Sequence, residues 1–339
     1  MKFSILKKSL GMLLGIGLFL GNFGESYSFF SSKEEKIILG FLPNEAGAEW
    51  DDYRNGMAAE IEIATGKEVE VRTTDSYEAL IDAVLAGEVD VAYSGPNQYV
   101  VAKDDPMGGE KIQPLTVNAG ERKLSKAGYP GWIATKKDSD LHKEIKAAGI
   151  GDDLTAGGKD EIERIKMLRN KRFSFVSPSS SSGFKVPRAI LYSVFGPNGT
   201  GEIENKDDFA NPQKINFMEV VFSPTSDHQG NINSVVNGNV DAGAFCCDYF
   251  GQKGVDAKSI KEFYVLAYRT VPNGPIWANV EALGEEDAAK ISEHFAELTI
   301  ENASELGKKM WTGEKTYLTN ETDGFVNVDD GFYDIIRQM

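Results

Sequence analysis

The sequence predicts an α/β protein of two lobes, with a hinge and a ligand cleft between them. Two observations carry this. One order of strand, polar loop, helix, strand, helix and strand occurs twice along the chain. Each copy also runs its second helix into the same tetrapeptide pattern, Gly87-Glu88-Val89-Asp90 and Gly238-Asn239-Val240-Asp241. Strand–helix alternation builds a parallel sheet covered by helices, and ligands of such sheets sit at the carboxyl ends of the strands. Two such lobes facing each other make a cleft, and a cleft suggests binding.

The elements follow in order. Lys2, Lys7 and Lys8 precede an apolar run at residues 10–20 that is too short to span a bilayer. Ser26-Tyr27-Ser28 then offers small residues where a signal peptidase reads, so residues 1–28 read as a secretory signal, with an uncleaved anchor as the alternative. With no cysteine near that point, a lipid anchor on a new N-terminal cysteine is not expected, and the reading is a soluble periplasmic protein.

The first lobe opens with an apolar strand at 36–42 and the loop Pro43-Asn44-Glu45-Ala46-Gly47. A helix over 50–65 carries Tyr53, Met57, Ile61 and Ala64 at helical spacing and stops at Gly66. After a strand at 69–72, Asp75 or Ser76 caps a helix that buries Leu80, Ile81, Val84 and Leu85. A strand at 89–93 opens onto Ser94-Gly95-Pro96-Asn97, another helix start. Residues 103–126, charged and punctuated by glycine, read as a surface excursion. A short strand at 131–136 carries the chain into the second lobe, and 138–168 reads as two short solvated helices.

The second lobe core, from 172 to about 250, repeats the scheme: strand 172–176, a serine loop, a helix stopped by Gly196, strand 215–222, helix 230–237 and a third strand. A strand at 263–269 returns the chain to the first lobe, which helices at 285–298 and 302–312 complete. The lobes therefore divide as 29–130 with 269–339, and 131–268, and the two crossings form a hinge.

The chain carries 36 basic and 52 acidic residues, a formal charge of -16. Removing the leader's three lysines and Glu25 leaves 33 against 51, or -18. That argues against nucleic acid or an anionic membrane as partner. A small anion stays possible, because local donors govern a cleft and screening is strong beyond about 10 Å. The only cysteines, Cys246 and Cys247, are neighbours that cannot close a loop, which favours reduced thiols over a strained vicinal disulfide. Three scattered histidines and this pair lack metal-ligand spacing, so neither metal nor cofactor is expected.

The most informative segment joins a buried strand to a helix: Ser177-Pro178-Ser179-Ser180-Ser181-Ser182-Gly183, with Pro187 just beyond. The first turn of a helix has unsatisfied N–H groups and a partial positive charge. Serine hydroxyls add donors there and Gly183 lets an anion approach the backbone, which suits a phosphate-like oxyanion without lysine or arginine. An ordinary capped helix behind a flexible serine loop fits the same residues. His228 lies at the same strand-to-helix position one unit on, in Ser223-Pro224-Thr225-Ser226-Asp227-His228, where it is placed to donate to an oxyanion. His142 and His294, in charged helical stretches, read as surface residues. Asp248 follows the third strand; an ionised carboxylate accepts only, so it suits a P–OH proton or a ligand amine, or else is a solvated loop acid. Tyr93 closes a first-lobe strand, Tyr129 precedes the crossing strand and Tyr99 lies in the helix after Tyr93. Each is placed to cap a ligand; core packing with a satisfied hydroxyl is the alternative for each, and for Tyr99 it fits at least as well.

Gly87-x-Val-Asp-Val-Ala-Tyr-Ser-Gly-Pro-Asn-Gln-Tyr99, Ser180-Ser181-Ser182-Gly183 with Pro187, Ser226-Asp227-His228 and Gly238-x-Val-Asp-Ala-Gly-Ala resemble, in order, the phosphonate/phosphite/phosphate-binding proteins of ABC importers. The resemblance runs from about residue 37 to 275. It implies a type II periplasmic binding fold that closes on its ligand and works with an inner-membrane permease. It also implies that Ser180, Ser181 and Ser182 bind the phosphorus oxyanion together with His228, Asp248 and Tyr93. Two departures stand out: the middle serine is often threonine in the family, and 138–168 is longer than its norm. No carboxylate stands between Arg269 and Trp277 to hold an aminoalkyl group, which tilts the ligand toward phosphite, methylphosphonate or phosphate.

Two rivals remain at this point. Sensing for a membrane kinase would use the same fold. A Ser-His-Asp hydrolase would use the same residue types, but the chain has no Gly-x-Ser-x-Gly elbow and its serines are consecutive.

Overall fold

The first strand, β1 (Ile37–Phe41), lies between parallel neighbours β2 (Val69–Thr73) and β3 (Val91–Tyr93), and its Leu39 and Phe41 are fully buried. The computed structural model describes residues 36–246 and 262–339; the expected leader, Cys247 and Asp248 lie outside them. Helix α1 (Asp51–Thr65) joins β1 to β2, and α2 (Tyr77–Leu85) joins β2 to β3, its N-cap Ser76 accepting from the Ala79 amide. Helix α3 (Pro96–Lys103) follows β3.

The repeated tetrapeptide turns out to be structural, and it does the same work twice. Gly87 and Gly238 take left-handed conformations (φ 73° and 72°), which glycine adopts without a Cβ penalty. Val89 and Val240 are buried. The aspartate side chains then accept an amide from the first strand of their own lobe, Asp90 from Ile38 and Asp241 from Arg172, each at 2.7 Å. Each motif ends a helix and clamps the following strand beside the lobe's first strand.

Residues 103–126 are no surface excursion. They contain β4 (Ile112–Ala119), in which Ile112 and Val117 are fully buried. β4 sits inside a six-stranded sheet of order β11 (Gly324–Asn327), β4, β10 (Pro275–Asn279), β3, β1, β2. Its glycines and charges, concentrated at the flanks, mask a strand of mostly apolar residues.

β5 (Gly128–Lys136) enters a second sheet, of order β7-β6-β8-β5-β9. Helices α4 (Asp140–Ala147) and α5 (Lys159–Lys166) fill the long segment as expected, yet they are not merely solvated. Leu141, Ile145 and Ile165 join the core, and fully buried Arg164 donates to the carbonyls of Leu266, Gly151 and Asp153. β6 (Arg172–Phe175), α6 (Val186–Phe195), β7 (Glu219–Phe222), α7 (His228–Val236) and β8 (Ala242–Cys246) complete the second copy. β7 is shorter than expected: residues 215–218 approach it as irregular chain and a bend.

β9 (Phe263–Pro272) stays in the second sheet along its whole length, antiparallel to β5; the strand that enters the first sheet is β10 (Pro275–Asn279). Next come the one-turn α8 (Val280–Leu283), α9 (Glu285–Glu297), α10 (Lys309–Thr312), β11 (Gly324–Asn327) and α11 (Asp334–Gln338). The helix expected over 302–312 is helical only in α10. One apolar cluster runs from Leu80 and Val84 through Trp277 to Ile133, Phe173 and Leu191, joining the two lobes. A second gathers Tyr53, Ile61, Ile276 and Phe295 in the first lobe.

Two histidine expectations need correction. His142 is buried, its Nδ1 accepting the Asp138 amide (3.0 Å) and its ring lying 4.3 Å from that of Tyr264. His294 holds buried Glu60 at 2.6 Å. Both are structural, because their helices turn these side chains inward.

Candidate functional site

The carboxyl ends of β1, β3, β6 and β8 converge on a cavity of about 350 Å³. Its wall includes Tyr93, Tyr129, Ser180, Ser181, Ser182 and His228. Six of the seven residues singled out in the sequence thus meet in one place; the seventh, Asp248, lies outside the described residues.

The serine loop commits most of its hydroxyls to distinct partners, and Ser177 and Ser179 share one. The Val176 amide donates to the Gly183 carbonyl (3.0 Å), folding the loop back on its own strand. Ser180 caps the turn by accepting from the Gly183 amide (3.1 Å). A Cβ on Gly183 would stand 2.4 Å from the Val176 side chain, so only glycine permits that return. Ser181–Lys185 then form a wide π-type turn that feeds α6. The Ser181 and Ser182 amides stand at its head, where a helix supplies no carbonyl to them.

The first lobe grips the same loop. Glu78 Oε1 accepts from Ser177 Oγ (3.0 Å) and Ser179 Oγ (2.8 Å). Asn97 Nδ2 and Gln98 Nε2 donate to the Ser179 carbonyl at 2.6 and 2.7 Å. The Asn97 amide donates to Ser181 Oγ at 2.8 Å, so that oxygen is an acceptor here and its own hydrogen is left for another partner. Tyr129 on β5 reaches Ser182 Oγ at 3.5 Å.

His228 is the first residue of α7, capped by Asp227, which accepts from the Gly230 amide (2.6 Å). Burial opposes its protonation, while Cys246, Asp227 and Glu45 together draw its pKa upward. The Cys246 amide, however, donates to Nδ1 at 3.2 Å. A proton on Nδ1 would set two N–H groups against each other, so the fitting state is neutral, with Nε2–H as donor. Tyr93 places its hydroxyl 3.4 Å from Asn118 Oδ1 and packs against Tyr53 and Tyr317. Tyr99 belongs to the core: fully buried, it donates to Asp330 at 2.7 Å.

Sequence reasoning missed Glu45, Tyr77 and Tyr317 in this wall. Glu45 is 3% exposed and ends the 3-10 turn after β1. Tyr317 donates to its Oε1 at 2.5 Å, and burial pushes the carboxyl up to about 7, with that hydrogen bond pulling it back. Its position in a polar loop after the first strand was a signal; Tyr317 gave none, because it arrives from the far end of the chain. Among the described residues, no cluster of His, Cys, Asp and Glu is fit to hold a metal ion, and no helix is long and apolar enough to cross a membrane.

A two-lobed α/β scaffold with hydroxyl, amide and imidazole groups facing one cavity defines a binding protein of the type II periplasmic class. The family model for the periplasmic substrate-binding protein of phosphonate ABC transporters matches residues 39–333, and the chain belongs to that family. It is 26% identical over 310 residues to the phosphate-import protein PhnD of Mycolicibacterium smegmatis, covering 90% of this chain and 85% of that protein. Two solved structures share the fold at 17% identity. One is a binding component of an ABC phosphonate transporter from Pseudomonas aeruginosa (TM-score 0.64; 90% and 85% of the two chains covered). The other is PhnD1 from Prochlorococcus marinus in complex with methylphosphonate (TM-score 0.62; 89% and 96% covered).

Proposed function

We propose that this chain is the periplasmic receptor of an ABC importer and binds one small phosphorus oxyanion — phosphite, methylphosphonate, phosphate or another phosphonate — by closing its lobes. The observation that carries the reading is the convergence of Ser180, Ser181 and Ser182, at the head of a helix, with His228, Tyr93 and Tyr129 on one cavity. The hydroxyls and the turn's amides supply donors to the oxygens. His228 Nε2–H adds another, and the two tyrosines contribute from the β3 end and the crossing strand. Asp248 accepts a P–OH proton, which sulfate lacks at neutral pH. The hinge runs through the start of β5 and the passage from β9 to β10, so the lobes divide near 130 and, because β9 stays in the second sheet, near 273 rather than 268. The receptor acts as a monomer after leader removal, docks on an inner-membrane permease and has no nucleic-acid partner.

A hydrolase fits the geometry poorly. The serine oxygens face Gly183, Asn97 and Tyr129, and His228 Nδ1 faces the Cys246 amide. A nucleophile needs one hydroxyl singled out by its base. Titration calorimetry and thermal shift with phosphite, methylphosphonate, phosphate, aminoethylphosphonate and sulfate test the proposal. At least one phosphorus oxyanion is expected to bind at micromolar concentration or below and raise Tm, with sulfate weaker. Silence across the panel would overturn it.

A further inference from the structure

We propose that Glu45 contacts the ligand and presents a proton to it through Oε2, giving the cavity an acid donor from the first lobe and rejecting oxyanions once that carboxyl ionises. The inference rests on the receptor reading above.

The geometry is specific. Glu45 stands at the carboxyl end of β1, on the wall shared with Ser180–Ser182 and His228. Its two oxygens are unlike. Oε1 accepts the Tyr317 hydroxyl at 2.5 Å, whereas Oε2 is buried without a hydrogen-bond partner. A protonated carboxyl has one O–H donor, and the oxygen already accepting from Tyr317 is the poorer place for that hydrogen. The proton therefore belongs on Oε2.

The surroundings agree. Among the described residues, the titratable groups facing Glu45 are Tyr53 on α1, Tyr77 on α2, Tyr317 before β11, His228 on α7 and Cys246 on β8. With His228 neutral, these supply no fixed positive charge, and burial holds the carboxyl at about 7. An ionised Glu45 would set a further negative charge against a bound oxyanion; a neutral one donates to it. A purely structural Glu45–Tyr317 pair would satisfy Oε1 equally well but leaves Oε2 without a purpose.

The test compares wild type with Glu45→Gln, whose amide stays neutral and keeps a donor. Calorimetric titrations with methylphosphonate run from pH 5.5 to 8.5 in two buffers of different ionisation enthalpy. The ligand's own titration is common to both proteins, so their ratio isolates Glu45. Wild-type affinity is expected to fall relative to Glu45→Gln by up to about tenfold per pH unit above pH ~7, as one proton demands. At pH 8 wild type should also take up more protons per ligand bound than the variant. Parallel pH curves with equal proton counts would overturn the role of Glu45 while leaving the receptor reading intact. A wild type that binds none of methylphosphonate, phosphite or phosphate at any pH would overturn both. Should Glu45→Gln fail to fold, Tyr317→Phe serves: losing the hydroxyl that steadies the ionised form shifts the alkaline limb to higher pH, and an unmoved limb would overturn the role.

Discussion

Replacing Ser181 by alanine isolates the donor at the centre of the serine loop. Ser181 is 3% exposed, and its Oγ already accepts the Asn97 amide at 2.8 Å, which directs its own hydrogen elsewhere. Pointed into the cavity, that hydrogen makes a charge-assisted bond to a ligand oxygen, worth about 1.5–3 kcal/mol. Ser181→Ala should therefore raise Kd about 10- to 150-fold. The substitution also strips the Asn97 amide of its partner, a cost of about 1–3 kcal/mol. The two effects separate by assay. The ligand contact appears in calorimetric Kd, whereas the Asn97 contact, if present without ligand, appears as a lower Tm in ligand-free protein. Ser193→Ala is the control: exposed on α6 and donating to the Ile190 carbonyl, it should leave Kd unchanged. A Kd for Ser181→Ala within threefold of wild type would refute the reasoning.

Three further outcomes are expected. Asp248→Asn should narrow the preference for phosphorus oxyanions over sulfate in competition calorimetry, and an unchanged preference would remove Asp248 from the site. Arg269→Met should leave the Glu161 carboxylate (2% exposed side chain) without its ion-pair partner, lowering stability by about 3–5 kcal/mol as read from the urea midpoint. Burial alone would raise the Glu60 pKa, but the hydrogen bonds from His294 and Ser304 hold it below the ordinary carboxyl range. A lowered acid contributes stability that is present above its unfolded pKa and lost as pH falls through the folded value. Thermal melts from pH 3 to 7 should accordingly show a flatter acid limb for Glu60→Gln, and an identical limb would count against that linkage.

What the sequence revealed depended on whether a signal was local. α1, α2 and α6 announced themselves through apolar spacing and caps, and the serine loop through five serines at a strand–helix junction. β4 was hidden because Gln113, Pro114 and Thr116 interrupt its apolar run while charges and glycines crowd its ends. β10 was hidden differently. Pro275-Ile276-Trp277-Ala278-Asn279 is a strand only because β3 and β4 flank it, a pairing made over about 160 residues or more. Glu45 looked like an ordinary loop acid, since its isolation from solvent comes from Tyr317 and the second lobe. Periodicity reports what a segment does to its own helix or strand; burial created by distant segments leaves no trace in it.

The same distinction explains how so acidic a chain can hold an anion. With a net charge of -16 the protein offers no general attraction, so the proposed recognition rests on oriented donors at short range. In the proposed site the serine loop supplies them by division of labour. Ser177 and Ser179 are committed to Glu78, Ser180 to its own turn, Ser181 to Asn97 and Ser182 to the Tyr129 hydroxyl. Residues held from the first lobe thus lie beside residues facing the cavity on a single short turn, and Ser181 is both. A ligand can shift lobe positions only through contacts that differ between states. Here Glu78, Asn97 and Gln98 bond the turn that carries Ser180 and Ser182, so donor placement is coupled to lobe position for as long as those bonds are made.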